Sequence, residues 1–117
     1  MSISLSSLLS NQSQAKAWVS FASNSSGSTI YQSYNVDSVT RNSAGVYTIN
    51  FVSPSPFSNS NYCAVGSFGG GVNALFSQDI PDSGGISTSS FRLHSGSVNN
   101  TPGLQEAPYT SVAFFGN

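Results

Sequence analysis

Apolar and polar residues alternate along several short segments of this chain, most clearly from residue 15 to residue 21. The odd-numbered residues there are all apolar, whereas the even-numbered ones are Lys16, Trp18 and Ser20. A period of two is that of a β-strand with one buried face. The segment therefore predicts a strand that buries its odd-numbered residues and leaves Trp18 on the opposite face, where a loop or a second subunit would cover it.

Further segments of the same kind follow, separated by turns rich in Gly, Pro, Asn and Ser. No segment has the period of 3.6 that an amphipathic helix requires. The predicted strands span residues 15–21, 29–36 with a continuation through a bend near Asp37 to Arg41, 46–52, 61–68, 72–78, 86–94 and 109–115. This pattern predicts an all-β fold: one antiparallel β-sandwich of jelly-roll type with about eight strands over residues 15–117, preceded by a short N-terminal arm over residues 1–14.

The pattern also predicts which residues point inward. In residues 46–52 the inward side chains are Tyr47, Ile49 and Phe51, and in the second strand Ile30, Tyr34 and Val36 share one face. The near-continuous apolar run within residues 61–68 predicts burial on both faces, with the single cysteine, Cys63, as a small core residue. We therefore expect the strands of Trp18, of residues 47–51 and of residues 61–65 to be central. Residues 42–45 form a turn that ends in Gly45 and joins two strands as a hairpin.

Composition limits the possible partners. Charged residues make up 6% of the chain, whereas 38% of the residues are hydrophobic and 12% aromatic. Enough apolar side chains are present for a packed core, so disorder is not expected. Only Lys16, Arg41 and Arg92 are permanent cations, which argues against nucleic acid and against anionic membranes as partners. A neutral surface of hydroxyls and amides is suited to contact with other subunits and also to contact with sugars.

The chain lacks the usual arrangements of catalytic residues. There is no Gly-x-Ser-x-Gly motif, no phosphate-binding loop and no His or Cys cluster with metal-ligand spacing. His94 beside Arg92 is expected to be a solvated or interface side chain. Asp79 and Asp82 lie three apart in a Pro/Gly loop, where turn formation is favoured over ion binding and ion binding over catalysis. We therefore expect that the protein is not an enzyme and has no cofactor or metal. Residues 95–108 are predicted to form a long loop, of the kind that often binds a partner.

Four blocks follow one another within residues 15–67: AKAWVSF at 15–21, SYNV and SVTRN at 33–36 and 38–42, GVYTINF at 45–51, and NYCAVGS at 61–67. In this order the blocks resemble a module of tailed-phage virion proteins with the pattern AKAWVNF, SFNVSSVTRN, GxYTVNF and NYxVVGS. The chain departs from that pattern at Ser20, where Asn is usual, and by an insertion at residues 54–56. The resemblance implies a place on the surface of a virion, with assembly in the host cytoplasm.

Two functions are compatible with that place. One is a capsid decoration or cement protein, which contacts the major capsid protein, and the other is the receptor-binding tip of a tail fibre, which recognises host glycans. Because the sequence reaches the module by residue 15 and shows no shaft or tail-attachment domain before it, we expect decoration. The resemblance further implies a homotrimer. The residues expected at its subunit interface are Trp18, Leu5, Leu8, Leu9, Phe114 and Phe115.

Overall fold

The computed structural model describes residues 14–69, 74–78, 85–97 and 109–117. Most of the predicted arm, with Leu5, Leu8 and Leu9, lies outside these residues. So do the loop that carries Asp79 and Asp82 and most of the long loop predicted over residues 95–108. The strands are β1 Ala17–Asn24, β2 Gly27–Tyr34, β3 Val36–Ser43, β4 Val46–Phe51, β5 Cys63–Gly69, β6 Ala74–Gln78, β7 Ser90–Ser97 and β8 Tyr109–Phe115.

These strands form two four-stranded antiparallel sheets that pack face to face. Sheet A has the order β2-β1-β8-β5 and sheet B the order β3-β4-β7-β6. Three consecutive pairs, β1-β2, β3-β4 and β6-β7, are neighbours within one sheet, and the other connections cross between the sheets. The predicted all-β, antiparallel sandwich is confirmed, and so is the central position of β1 and β4 in their sheets.

The core lies between the two sheets, where the predicted inward faces meet. On β1 the exposed fractions of Ala17, Val19 and Phe21 do not exceed 1%. On β4, Tyr47 and Ile49 are fully buried, and the Phe21 and Tyr47 rings meet edge to face across the interior. The alternation seen in the sequence therefore arises because each sheet presents one face to the other and one to the outside.

The bend between the second and third strands is sharper than the sequence predicts and comes two residues earlier. Asn35 has φ of 59°, a left-handed conformation that Asn tolerates better than most residues. Its side-chain amide donates to the Lys16 carbonyl at 2.8 Å, and its own carbonyl accepts from the Val52 amide at 3.1 Å. The chain thus leaves sheet A at Tyr34 and enters sheet B at Val36, so the two strands are separate elements in different sheets.

A β-bulge in β2 reverses part of the predicted alternation. The pairing with β1 shifts between Ser20, which lies opposite Gln32, and Phe21, which lies opposite Ile30. Tyr31 is the extra residue, so residues beyond it point to the other side of the sheet. Ile30 packs against the core as predicted, but Tyr34 lies opposite Trp18 and is 52% exposed. The prediction that Tyr34 shares the inward face was therefore wrong.

The strand of residues 61–68 was also predicted wrongly. The strand that forms there, β5, is the edge of sheet A and pairs only with β8 among the described strands. Ala64 and Phe68 pack against the core, whereas Val65 is 52% exposed and the Cys63 thiol is free and exposed. A short apolar run cannot distinguish a strand buried on both faces from an edge strand that carries apolar residues outward.

The seventh strand begins later and ends later than expected. Ile86 makes only an isolated bridge to Phe91, and β7 runs from Ser90 to Ser97. The turn before it is held by the Ser87 hydroxyl, which accepts from the amides of Ser89 and Ser90 at 3.2 and 3.1 Å. Local hydroxyl-to-backbone bonds of this kind compete with strand pairing, and they delay the start of the strand.

Candidate interaction surface

The outer face of sheet A carries an unusual set of exposed side chains. Among the residues whose side-chain exposure the structure describes, every exposed large hydrophobic residue belongs to a strand of this sheet. They are Trp18 (36% exposed), Tyr31 (55%), Tyr34 (52%), Val65 (52%) and Tyr109 (53%). We refer to these five residues as the sheet A patch.

The register of the strands explains why these residues come together. Trp18 on β1 lies opposite Tyr34 on β2 and opposite Ala113 on β8, and Ala113 lies opposite Val65 on β5. Four outward side chains therefore form one row across all four strands. Further along the sheet, the bulged Tyr31 stacks on Tyr109 with ring centroids 6.1 Å apart. The patch thus spans the width of the sheet.

A shallow groove of about 470 Å³ crosses this face beside Trp18. A row of serines lines it, because Ser20, Ser111 and Ser67 lie opposite one another on β1, β8 and β5. Trp18, Val65 and Ala113 add its apolar wall. The groove therefore offers small hydroxyl groups on its floor and an indole at its side.

Sheet A differs from sheet B in charge. None of its four strands contains Asp, Glu, Lys or Arg, whereas Asp37 and Arg41 lie on β3 and Arg92 lies on β7 of sheet B. Covering the outer face of sheet A would remove no ionised strand side chain from water, so it avoids the large cost of burying an unpaired charge. Of the two sheets, sheet A is therefore the one whose strands have the lower desolvation cost when a partner covers them.

Trp18 points outward, as the sequence predicts, but its own chain already covers nearly two thirds of it. Its exposed remainder is about 90 Å², since a tryptophan presents up to roughly 250 Å². Trp18 alone therefore cannot hold two subunits together, and its neighbours Tyr34 and Val65 matter as much. That Trp18 lies between subunits stays a prediction.

Phe114 and Phe115 lie on opposite faces of β8, and only one of them is available to a partner. Phe114 is fully buried in the core, so its place among the interface residues was wrong. Phe115 is half-buried and lines a second groove of about 470 Å³ with Asn59, Asn61, Cys63, Gly116 and Asn117. This groove is lined mainly by amides and lies around the end of β8.

Tyr62, just before β5, ties this end of the sandwich to the turn that precedes β7. Its hydroxyl donates to the carbonyls of Ser87 at 2.9 Å and Ser90 at 3.2 Å. Its ring stacks on Phe57 with a centroid distance of 4.4 Å. Burial raises the pKa of the Tyr62 phenol well above its ordinary value of 10.0. Tyr62 is therefore a neutral structural anchor.

Potential metal ligands do not gather in the part of the chain that the structure describes. No three His, Cys, Asp or Glu side chains come close enough there to hold a metal ion. His94 is half-buried on β7, opposite Val46 and Ser77. No helix among the described residues is long and apolar enough to cross a membrane.

Sequence reasoning identified only Trp18 of the sheet A patch. Tyr34 was missed because the bulge changes its side, and Val65 because its strand was taken as central. The alternation from Ile30 already placed Tyr31 outward, but it was not recognised as part of a surface. The odd-numbered positions of β8 could have indicated Tyr109, since Phe114 and Val112 share the inward face.

No protein-family model, curated protein or solved structure matches this chain. The resemblance of residues 15–67 to a phage virion module therefore stays a prediction.

Proposed function

We propose that this chain is a structural protein of a bacteriophage virion, a capsid decoration subunit that attaches through sheet A and is displayed on the outer surface. The observation that carries the proposal is the sheet A patch on a sheet without charged strand residues. A subunit that lies against a lattice needs a face whose desolvation costs little free energy. Sheet A provides such a face. The charged strand residues lie on sheet B, which would face the solvent in this arrangement.

The size of the patch is adequate for attachment. Aromatic side chains present roughly 150 to 250 Å² each, so the exposed fractions of the four aromatic residues of the patch leave about 400 Å² of mostly apolar surface, to which Val65 adds. Patches of roughly 300 to 600 Å² are the largest on a typical monomer and are often functional. Covering this one contributes about 10 kcal/mol at about 25 cal/mol per Å², before the costs of association.

The partners in this proposal are other virion proteins, with the major capsid protein first, and further copies of the chain. A repeated lattice presents many identical sites, and copies bound side by side would contact one another. The proposed setting is the virion surface after assembly in the host cytoplasm. The homotrimer that the resemblance implies is one form that this self-association could take, and a two-fold dimer is an alternative form.

Quantitative mass spectrometry of purified particles of the phage that encodes this chain tests the proposal. Hundreds of copies per particle are expected for a decoration protein. Absence from purified particles would overturn the virion proposal itself. A matched pair of variants then tests the face: Trp18→Ala on sheet A should lower occupancy, whereas Thr40→Ala, exposed on β3 of sheet B, should not.

A second function, the receptor-binding tip of a tail fibre, is favoured by the serine-lined groove. Sugars present hydroxyls at their rims and C–H groups on their faces, and such ligands match the hydroxyls of Ser20, Ser67 and Ser111 beside the Trp18 indole. A neutral groove suits a neutral glycan. A few dozen copies per particle or fewer, together with binding to a glycan array that Trp18→Ala abolishes, would favour this function over decoration.

A further inference from the structure

We infer that β5 is a pairing edge, through which two copies of this chain join antiparallel and extend sheet A into one continuous eight-stranded sheet. The inference deepens the self-association part of the proposed function and rests on it. It names the strand, the partner and the register of the contact.

The β5 edge lacks the features that normally prevent strands from pairing with other chains. Cys63–Gly69 contains no charged residue and no proline, and its seven residues pair with β8 without a register shift. Within the part of the chain that the structure describes, no strand pairs with its other side. Val65, Gly66 and Ser67 at its centre are all exposed. A regular, uncharged and uncovered edge is a template for another strand.

Two of the other three sheet edges are protected, and the third, β6, has five residues against the seven of β5. On sheet B, β3 carries Asp37 and Arg41 and has two shifts in its register with β4. At the far side of sheet A, β2 has its bulge, and the Ser28 hydroxyl donates to the Val39 carbonyl of β3 at 2.6 Å, which covers one end of β2. Charges, bulges and covering segments are the usual means of blunting an edge.

The side-chain pattern of β5 specifies the register of the contact. Residues directly opposite in an antiparallel pair point to the same side of the sheet. If the two strands cross at Gly66, Val65 lies opposite Ser67 of the partner subunit on the outer face, and Ala64 lies opposite Phe68 of the partner subunit on the inner face. This register matches both faces and uses all seven residues. A shift by one residue would put outward side chains opposite inward ones.

The chemistry of the edge favours a second copy as the occupant. Seven residues in an antiparallel ladder exchange about six to eight backbone hydrogen bonds. Two identical edges meet without repulsion because neither carries a charge, and a two-fold contact is the commonest in soluble oligomers. Pairing also joins the outer faces of the two sheets A. The Val65 ends of the two patches then meet, which doubles the width of the proposed attachment face.

Disulfide trapping tests the register. In a Cys63→Ser background, the double variant Val65→Cys/Ser67→Cys places two cysteines opposite two others across the two-fold axis, within the Cα separation of roughly 4.4 to 6.8 Å that a disulfide needs. Mild oxidation should give a covalent dimer of twice the 12.2 kDa chain mass. The single variants Val65→Cys and Ser67→Cys should give little covalent dimer. In this register the same position in the two subunits lies diagonally across the strand pair, and not directly opposite. Equal cross-linking of the single variants would overturn the register.

Sedimentation of the unmodified chain tests the pairing itself, with a matched pair of lysine variants. Ser67 and Gln32 lie at opposite ends of one row of sheet A. Ser67→Lys puts charge on the pairing edge and should weaken the dimer by about tenfold. Gln32→Lys puts the same charge on the far edge and should leave the dimer within about twofold. A monomer at tens of micromolar, or a trimer, would overturn the two-fold pairing.

The outcomes separate this inference from the proposed function. A dimer that is absent from phage particles would support the edge pairing and overturn the virion proposal. Hundreds of copies per particle, of a chain that is monomeric in solution, would support the virion proposal and overturn the edge pairing. Circular dichroism of each variant shows whether a lost dimer reflects a lost contact, because a folded Ser67→Lys monomer retains the β-sheet spectrum.

Discussion

Removing a single oxygen, by Tyr62→Phe, tests how the turn before β7 is held to the sandwich. The Tyr62 hydroxyl donates to the carbonyls of Ser87 and Ser90 at 2.9 and 3.2 Å. Ser90 also accepts from the Ser87 amide at 2.9 Å, so the larger loss falls on the Ser87 carbonyl. A hydrogen bond of this kind contributes about 0.5 to 1.5 kcal/mol net. The substituted ring still fills the same space against Phe57, so we expect a loss of about 1 kcal/mol.

Urea unfolding followed by circular dichroism measures this loss. With a denaturant slope of about 1 to 3 kcal/mol per molar, the midpoint should fall by about 0.5 M. The thermal midpoint should fall by about 3 to 5 °C for a domain of this size. Tyr31→Phe is the matched control, because the same atom is removed from a ring that is 55% exposed. Its free energy of unfolding should stay within about 0.5 kcal/mol of that of the unmodified protein.

The pH dependence supplies a second measurement on the same variant. Burial raises the pKa of Tyr62 above its ordinary value of 10.0 in the folded state. Stability from a raised pKa is present below the unfolded value and is lost as the pH rises through the folded one. The advantage of the unmodified protein over Tyr62→Phe should therefore shrink as the pH rises above 10.0. Equal effects of Tyr62→Phe and Tyr31→Phe at neutral pH, or a gap that widens above pH 10, would refute the reasoning.

Three further substitutions test the packing and the backbone, each by urea unfolding. Asn35→Ala should cost about 1 to 2 kcal/mol more than Asn35→Gly, because both lose the bond to Lys16 but only Ala resists a φ of 59°; equal losses would contradict this. Gly116→Ala should cost about 1 to 3 kcal/mol, since the added Cβ would lie 2.9 Å from Tyr62 Cβ; a neutral result would mean that the chain end moves freely. Ile49→Ala, at a fully buried position, should cost about 2 to 5 kcal/mol, and a loss below 1 kcal/mol would contradict its place in the core.

The sequence alone determined the fold class and most of the core. The period of two is a property of the extended backbone itself, so it can be read without knowing which strand lies beside which. For this reason the inward faces of β1 and β4 were predicted residue by residue, and they are buried. The turn at Gly45 was also predicted, because glycine is the residue most often found where a turn needs positive φ, and Gly45 has a φ of 76°.

Only the tertiary structure decided the order of the strands and the outer surface. Whether β5 is central or an edge depends on which distant strands pair with it, and its own residues are equally apolar in either position. The bulge at Tyr31 depends on the pairing with β1, and it moves Tyr34 from the core to the surface. The sheet A patch therefore arises from long-range pairing between strands far apart in the chain, which local periodicity does not encode.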